Sequence, residues 1–162
     1  MSKTAGKEFA EIVDRELDRL SELIASYGDS DSLWDVTGDA QNPPGTLALH
    51  LVGNLEHYVG AVLGDTGYLR DRDAEFADRG VPREEILRRI ASAKRAATST
   101  LARLDDEALG QMYPASTGGG EIGGIGEGTT RHFLVHLMWH LGWHLGQIYY
   151  HRRLLSEPNT PG

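Results

Sequence analysis

Seven histidines and no cysteine define the metal and nucleophile chemistry open to this chain. His132, His136, His140 and His144 recur at every fourth position near the end of the sequence, with His151 beyond them. On a helix, residues four apart share a face with Cβ atoms about 5–6 Å apart. An adjacent pair can therefore point two imidazoles at one metal ion, each nitrogen roughly 2.0–2.1 Å from it. All four cannot share an ion, because each step of four drifts about 40° at 3.6 residues per turn. A site built here uses one adjacent pair and can draw a third ligand from elsewhere. His50 is the best third partner, since it lies in the apolar run LALHLVGNLEHYVG with Asn54 and His57 at i+4 and i+7 on the same side. Three histidines with a free coordination position make an open site, suited to a reactive water or a bound substrate.

Each of these residues also has a plain reading. A lone histidine on an apolar helix face is more often a hydrogen-bonded core group. His57 reads by default as surface, with a ligand-orienting role beside Asn54 as the functional alternative. His132 and His136 read as polar residues near a helix start, and His151 as outer surface or the partner of an acid.

The remaining motifs carry less. Gly118-x-Gly120-x-x-Gly123 matches the dinucleotide fingerprint in letters, but no strand precedes it and no βαβ unit surrounds it. There is no His-Glu-x-x-His, and no histidine has a glutamate three residues before it, as the Glu-x-x-His pairs of di-iron bundles require. Trp139 and Trp143 flank the histidines and read as packing or interface residues. Arg70-Asp71-Arg72-Asp73 reads as a solvated connection, and Arg152 and Arg153 as cations facing solvent at a helix C-terminus.

The elements that must position these groups are helical. In 162 residues, 40% of them hydrophobic, there is enough chain to bury one sizeable core without staples. Apolar positions at spacings of three and four run from Phe9 to Tyr27, and Gly28 ends that helix. A second helix is predicted over Leu47–Leu63, with Thr46 as its cap and apolar residues on more than one face, which makes it central. Gly53 and Gly60 weaken it locally but allow a close neighbour. After a long polar connection over 64–81, Pro82-Arg83-Glu84-Glu85 opens a third helix that runs to about Leu104. Residues 105–111 add a short turn, and 112–128 form a loop. Thr129 or Thr130 then caps a fourth helix ending near Leu155. The economical answer is a single all-α domain over residues 1–162, a four-helix bundle. The long connection between its second and third helices favours up-down-down-up order.

Composition excludes several functions. The absence of cysteine rules out disulfide scaffolds, thiolate zinc sites, iron–sulfur clusters and a cysteine nucleophile. The formal net charge of −8 disfavours nucleic-acid binding. No apolar run reaches the length of a membrane span. The charged, periodic N-terminus is unlike a signal peptide, so a soluble cytoplasmic protein is expected.

Two segments carry a specific resemblance. NPPGTLALHLVGNLEHYVGAVLG resembles the second helix of the DinB-like superfamily, which includes YfiT-type metal-dependent hydrolases. HLMWHLGWHLGQIYYHRRLL resembles that family's last helix, with His-x-x-x-His followed by a small residue and Gln-Ile. The resemblance implies an up-down-down-up bundle, commonly a homodimer, with His50, His140 and His144 as ligands of one divalent ion, zinc or nickel most often. Gly146-Gln147 favours this later pair over His136 and His140. Where the family often has arginine after the second histidine of the pair, this chain has Leu145, so substrate contacts there differ. Some members are transferases or isomerases that use a low-molecular-weight thiol such as bacillithiol, mycothiol or glutathione. The resemblance thus points to a metal-dependent enzyme acting on a small-molecule substrate, a thiol-dependent S-transferase first. A metal-dependent hydrolase or a non-catalytic metal- or ligand-binding bundle protein are the alternatives. No residue stands out as a catalytic base. With no cysteine in the chain, a thiol nucleophile must come from a cofactor.

Overall fold

The computed structural model describes residues 4–114 and 127–156. Among them the chain is all-helical, with only an isolated bridge between Met112 and Thr129 in place of a sheet. Helix α1 spans Ala5–Ala25 and buries one stripe that includes Val13, Leu17, Leu20 and Ile24, the stripe its sequence period predicts. A short 3₁₀ turn over Asp31–Trp34 leads to helix α2, Pro44–Leu55. Every residue of α2 is buried, as befits a helix that is apolar on all sides.

The start of α2 differs from expectation. The helix begins at Pro44, with Pro43 at the cap position, so Thr46 lies inside the first turn rather than capping it. A proline costs nothing in the first turn, where its missing N–H would have no helical acceptor. The Thr46 hydroxyl is fully buried without a hydrogen-bond partner among the described residues. Past Leu55 the helix widens into a π-helical turn over Glu56–Ala61, a feature frequent at functional sites, and ends in a last turn at Val62–Gly64.

The long connection that follows carries an unforeseen helix, α3, Arg72–Ala77, capped by the Asp71 side chain, which accepts from the Ala74 N–H. Helix α4 spans Arg83–Leu101, α5 spans Asp106–Gly110, and α6 spans Thr130–Ser156. Thr129 caps α6, its hydroxyl accepting from the His132 N–H at 3.2 Å.

Contacts at the helix ends fix their senses. Gly6, at the start of α1, lies against the Leu101 and Leu104 carbonyls at the end of α4, where a Cβ would not fit. At the other end Arg83 donates to the Tyr27 carbonyl, and Lys94 bridges to Asp14 and Asp18 midway. Thus α1 and α4 are antiparallel. The ends of α1 and α6 meet through Tyr27, Ile148 and His151, so these two helices are parallel. Tyr58 meets Phe133 and His50 meets His140, which sets α2 antiparallel to α6. Leu51, Leu55, Ile86, Ile90, Leu134, Leu141 and Ile148 fill the space between them. Burying each such side chain contributes roughly 1.5–3 kcal/mol. No helix among the described residues is long and apolar enough to cross a membrane.

Candidate metal centre

The antiparallel contact of α2 and α6 brings His50, His140 and His144 together. Each offers one ring nitrogen, and the three atoms lie within 4.8 Å of one another. The His50 and His140 Nε2 atoms are 3.2 Å apart. Two nitrogens on one tetrahedral ion at roughly 2.0–2.1 Å each stand about 3.3–3.4 Å apart. The rings meet edge-on, with centroids 5.1 Å apart for His50 and His140, 5.4 Å for His50 and His144, and 4.6 Å for His140 and His144. Edge-on rings converge their nitrogens instead of stacking their faces. His50 is buried, while His140 and His144 are half-buried, so the group opens toward solvent on the α6 side.

The outer nitrogens of two of these rings are already engaged. His50 Nδ1 donates to Glu75 Oε2 at 3.0 Å, because a carboxylate only accepts, and this leaves Nε2 with its lone pair facing inward. Glu75 is held in turn by Arg70, which makes a two-pronged contact: Nε to Oε1 at 2.7 Å and Nη2 to Oε2 at 2.8 Å. The Arg70 guanidinium also lies 5.5 Å from the Tyr58 ring centre. Gly53 makes room for this arrangement, since a Cβ there would overlap the Glu75 carboxylate. On the α6 side, His144 Nδ1 bonds to the Gln147 side-chain oxygen at 2.6 Å, which leaves its Nε2 free in the same way. Histidine ligands characteristically donate their second nitrogen to a carboxylate or carbonyl that fixes the tautomer and the ring orientation.

The surroundings of His140 and His144 disfavour their charged forms. His140 is pushed down to about 3, first by burial and then by the His144, His50, His136 and Arg70 charges. His144 is lowered chiefly by burial, against the Gln147 bond. Burial draws the Glu75 carboxyl upward, but the Arg70 and His50 hydrogen bonds outweigh it and hold it below the usual carboxylate range. Neutral imidazole is the form that binds a metal.

The other residues singled out from the sequence fall in several places. Asn54 is buried one turn beyond His50, and its Oδ1 has no partner among the described residues. His57, a further turn on, is half-buried with Nδ1 in the same condition, its ring 4.8 Å from that of Tyr58. Neither belongs to the three-histidine group. His136 packs against Trp139 with ring centres 5.4 Å apart, and His132 is exposed. Trp139 and Trp143 are each 57% exposed and stack on one another. The Gly118–Gly123 motif lies outside the described residues.

Two expectations are overturned. Arg70 is not part of a solvated run: its side chain is 10% exposed and clamps Glu75 behind His50. His151 is not outer surface: it is buried, with Nε2 donating to the Asp35 carbonyl at 3.1 Å and Nδ1 facing the Tyr27 hydroxyl at 3.1 Å. Arg152 also reaches back, to the Ser26 carbonyl. Sequence reasoning missed Glu75 entirely. The available signal was weak: a glycine in a buried helix, which must face something close, and a charge run interrupted by Phe76.

The sequence profile of the DinB superfamily matches residues 12–148, and the chain belongs to that superfamily. Among solved structures, a DinB-like protein from Bacillus cereus ATCC 10987 is similar, with 18% identity and a TM-score of 0.68, over 100% of this chain and 99% of that one. A conserved protein from Enterococcus faecalis is similar with 16% identity and a TM-score of 0.68, over 96% and 100%. At these identities the likeness is one of fold. No curated protein matches the chain.

Proposed function

We propose that the chain is a metal-dependent enzyme whose His50, His140 and His144 hold one divalent ion, zinc or nickel, and that it transfers a small thiol to an electrophilic substrate. The observation that carries the reading is the convergence of three ring nitrogens while Glu75 and Gln147 occupy the outer nitrogens of His50 and His144. The bound ion would lower the pKa of a coordinated thiol or water. The transfer version is favoured over hydrolysis because the carboxylate nearest the histidines, Glu75, is tied up by Arg70 and His50 and is not free to take a proton from water. A thiolate can attack carbon without such a base. Its sulfur forms the new bond, the leaving group departs with the electron pair, and the thiol proton goes to solvent.

A cleft of about 540 Å³ beside His144, lined also by Asp39, Asn42, Leu47, Gln147 and Tyr150, has room for the thiol and substrate. Asn54 and His57, with buried atoms unpaired among the described residues, are the candidates to orient a bound ligand. The frame is read as a single four-helix bundle of α1, α2, α4 and α6 over residues 1–162, in up-down-down-up order, which the end contacts support. Trp139, Trp143 and Tyr150, exposed along α6, are read as the face of a homodimer. Light scattering should report a dimer that Trp139→Glu converts to monomer; a wild-type monomer at high concentration removes this interface.

The experiment for the function is metal analysis followed by a thiol screen. Close to one equivalent of divalent metal per chain is expected, with conversion of alkyl-halide or epoxide probes only when a thiol is supplied. Conversion without thiol would sink the transferase reading. Failure to bind any divalent ion after reconstitution would sink the site.

A further inference from the structure

Back to back with the histidine group, across the Glu75 side chain, a second cleft of about 330 Å³ opens between α2, α3 and α4. Its acids are Glu56, Asp71 and Asp78, with Glu75 at the inner wall, and its cations are Arg88 and Arg89. The charges do not cancel. Arg88 and Arg89 share one carboxylate, Glu85, at 2.7 Å each, which lies outside the cleft lining and offsets one of their two charges, and Glu75 is paired with Arg70, so three acids face one remaining positive charge. Glu56, Asp71 and Asp78 carry their charge into the cleft without a cationic partner among the described residues.

Glu56 is the unusual member. Its side chain belongs to a residue only 9% exposed, in the π-helical turn of α2, and its carboxylate has neither hydrogen bond nor ion pair among the described residues. Its carboxylate oxygens keep contact with solvent through the cleft they line, where a cation can reach them. Asp78 likewise has no side-chain partner there, while Asp71 is engaged only with the Ala74 N–H. The Tyr68 phenol on the same wall is pushed up, first by burial and then by the Glu75 and Glu56 charges, with Arg70 and Arg89 opposing.

We infer that this cleft binds a small organic diamine, with one ammonium on Glu56 and the other toward Asp78 and Asp71. The separation of the acids argues for a diamine over a metal ion. Among the described residues only the three histidines gather ligand atoms within 4.8 Å of one another, so these carboxylates do not converge on one point. An anion would have to pull Arg88 and Arg89 from Glu85 and approach three carboxylates. Leu49, Val52 and the 90%-exposed Leu69 supply the apolar wall that a methylene chain between two ammonium groups would cover.

Putrescine is the probe, titrated by calorimetry and by thermal denaturation. A saturable heat and a Tm that rises with concentration are expected. Succinate, and sodium chloride at matched ionic strength, should give neither. Glu56→Gln should weaken binding at least about tenfold by removing the charge partner on the inner wall, and Asp78→Asn, on the exposed rim, should weaken it less. His140→Ala should bind putrescine like the wild type, which separates this cleft from amine coordination by a metal at the histidines and makes the result independent of the metal reading. No saturable response, an equal response to salt, or unchanged affinity in either Glu56→Gln or Asp78→Asn would overturn the proposal. So would loss of binding in a folded His140→Ala protein.

Discussion

Helix α6 carries histidines in two settings, the pair His140 and His144 beside His50 and, about two turns beyond His144, the buried His151, which use the same side chain in opposite ways. At the α1 end, His151 spends both ring nitrogens on the protein: one donates to the Asp35 carbonyl and the other accepts from the Tyr27 hydroxyl, since a carbonyl cannot donate. At the α2 contact, His50 and His144 each spend one nitrogen, on Glu75 and Gln147, and leave the second directed at the other imidazoles. Burial alone therefore does not distinguish a site from a structural histidine. The distinction lies in whether the inward nitrogen has a protein partner.

The sharpest way to break this comparison is to remove one histidine from each setting. Replacing His50, His140 or His144 by alanine should abolish stoichiometric metal binding, measured by mass spectrometry of tag-free protein. His151→Ala should keep its metal while losing stability. If His151→Ala lost metal as fully as His140→Ala, the two settings would not be functionally distinct.

The next effect is indirect and smaller. Glu75→Gln and Arg70→Ala leave the three ligands in place but loosen the orientation of His50. Groups that orient metal ligands are typically worth 10–100-fold in affinity, and a loss in roughly that range is expected from competition with a chromophoric chelator. Gly53→Ala should act in the same direction, because a Cβ there collides with Glu75. Affinity unchanged in all three variants would reduce Glu75 to a structural ion pair.

How much of this could be read from the sequence follows from the range of the interactions. Helices α1, α4 and α6 were legible because their periods are local, and the histidine group because His50 and the His-x-x-x-His run sit within apolar, helical stretches. Glu75 and Arg70 were not, because their roles depend on α3 folding back over Gly53. No period announces a six-residue helix in a polar connection. His151 was misplaced for a related reason: its partners, Tyr27 and Asp35, lie 124 and 116 residues away in the chain. Thr46 has the look of a cap because a threonine stands before an apolar run, yet Pro44 starts the helix three residues before Leu47.

Stability should show the other side of the comparison. His151→Phe removes both hydrogen bonds and leaves the Asp35 carbonyl and Tyr27 hydroxyl to find other partners. A buried polar group left unpaired costs about 1–3 kcal/mol, so a loss of that order is expected in chemical denaturation of metal-free protein. The Tyr27 hydroxyl also lies 3.4 Å from the Ile148 carbonyl, and engagement there would hold the loss toward the lower end. A loss well above this range would mean that the ring's packing on Tyr27, not its hydrogen bonding, is what the α1 end depends on.

The same histidine gives a smaller effect with a definite sign. Burial lowers the His151 pKa below its ordinary value of 6.5, against the raising influence of the Asp35 carbonyl bond and carboxylate. The native state therefore holds the neutral ring at pH values where the unfolded chain has begun to take up a proton. Its contribution to stability is complete above the unfolded pKa and is lost as pH falls from there toward the depressed native pKa. Once both states are protonated, no further loss arises from this residue. Metal-free protein with His50, His140 and His144 replaced by glutamine removes two competing contributions, because His140 and His144 are also lowered and would add slopes of the same sign. In that background His151→Phe should flatten the acid side of the stability curve just below pH 6.5. An unchanged slope would show that the proton is taken up elsewhere, with His57 and His136, both also lowered by burial, the next groups to replace.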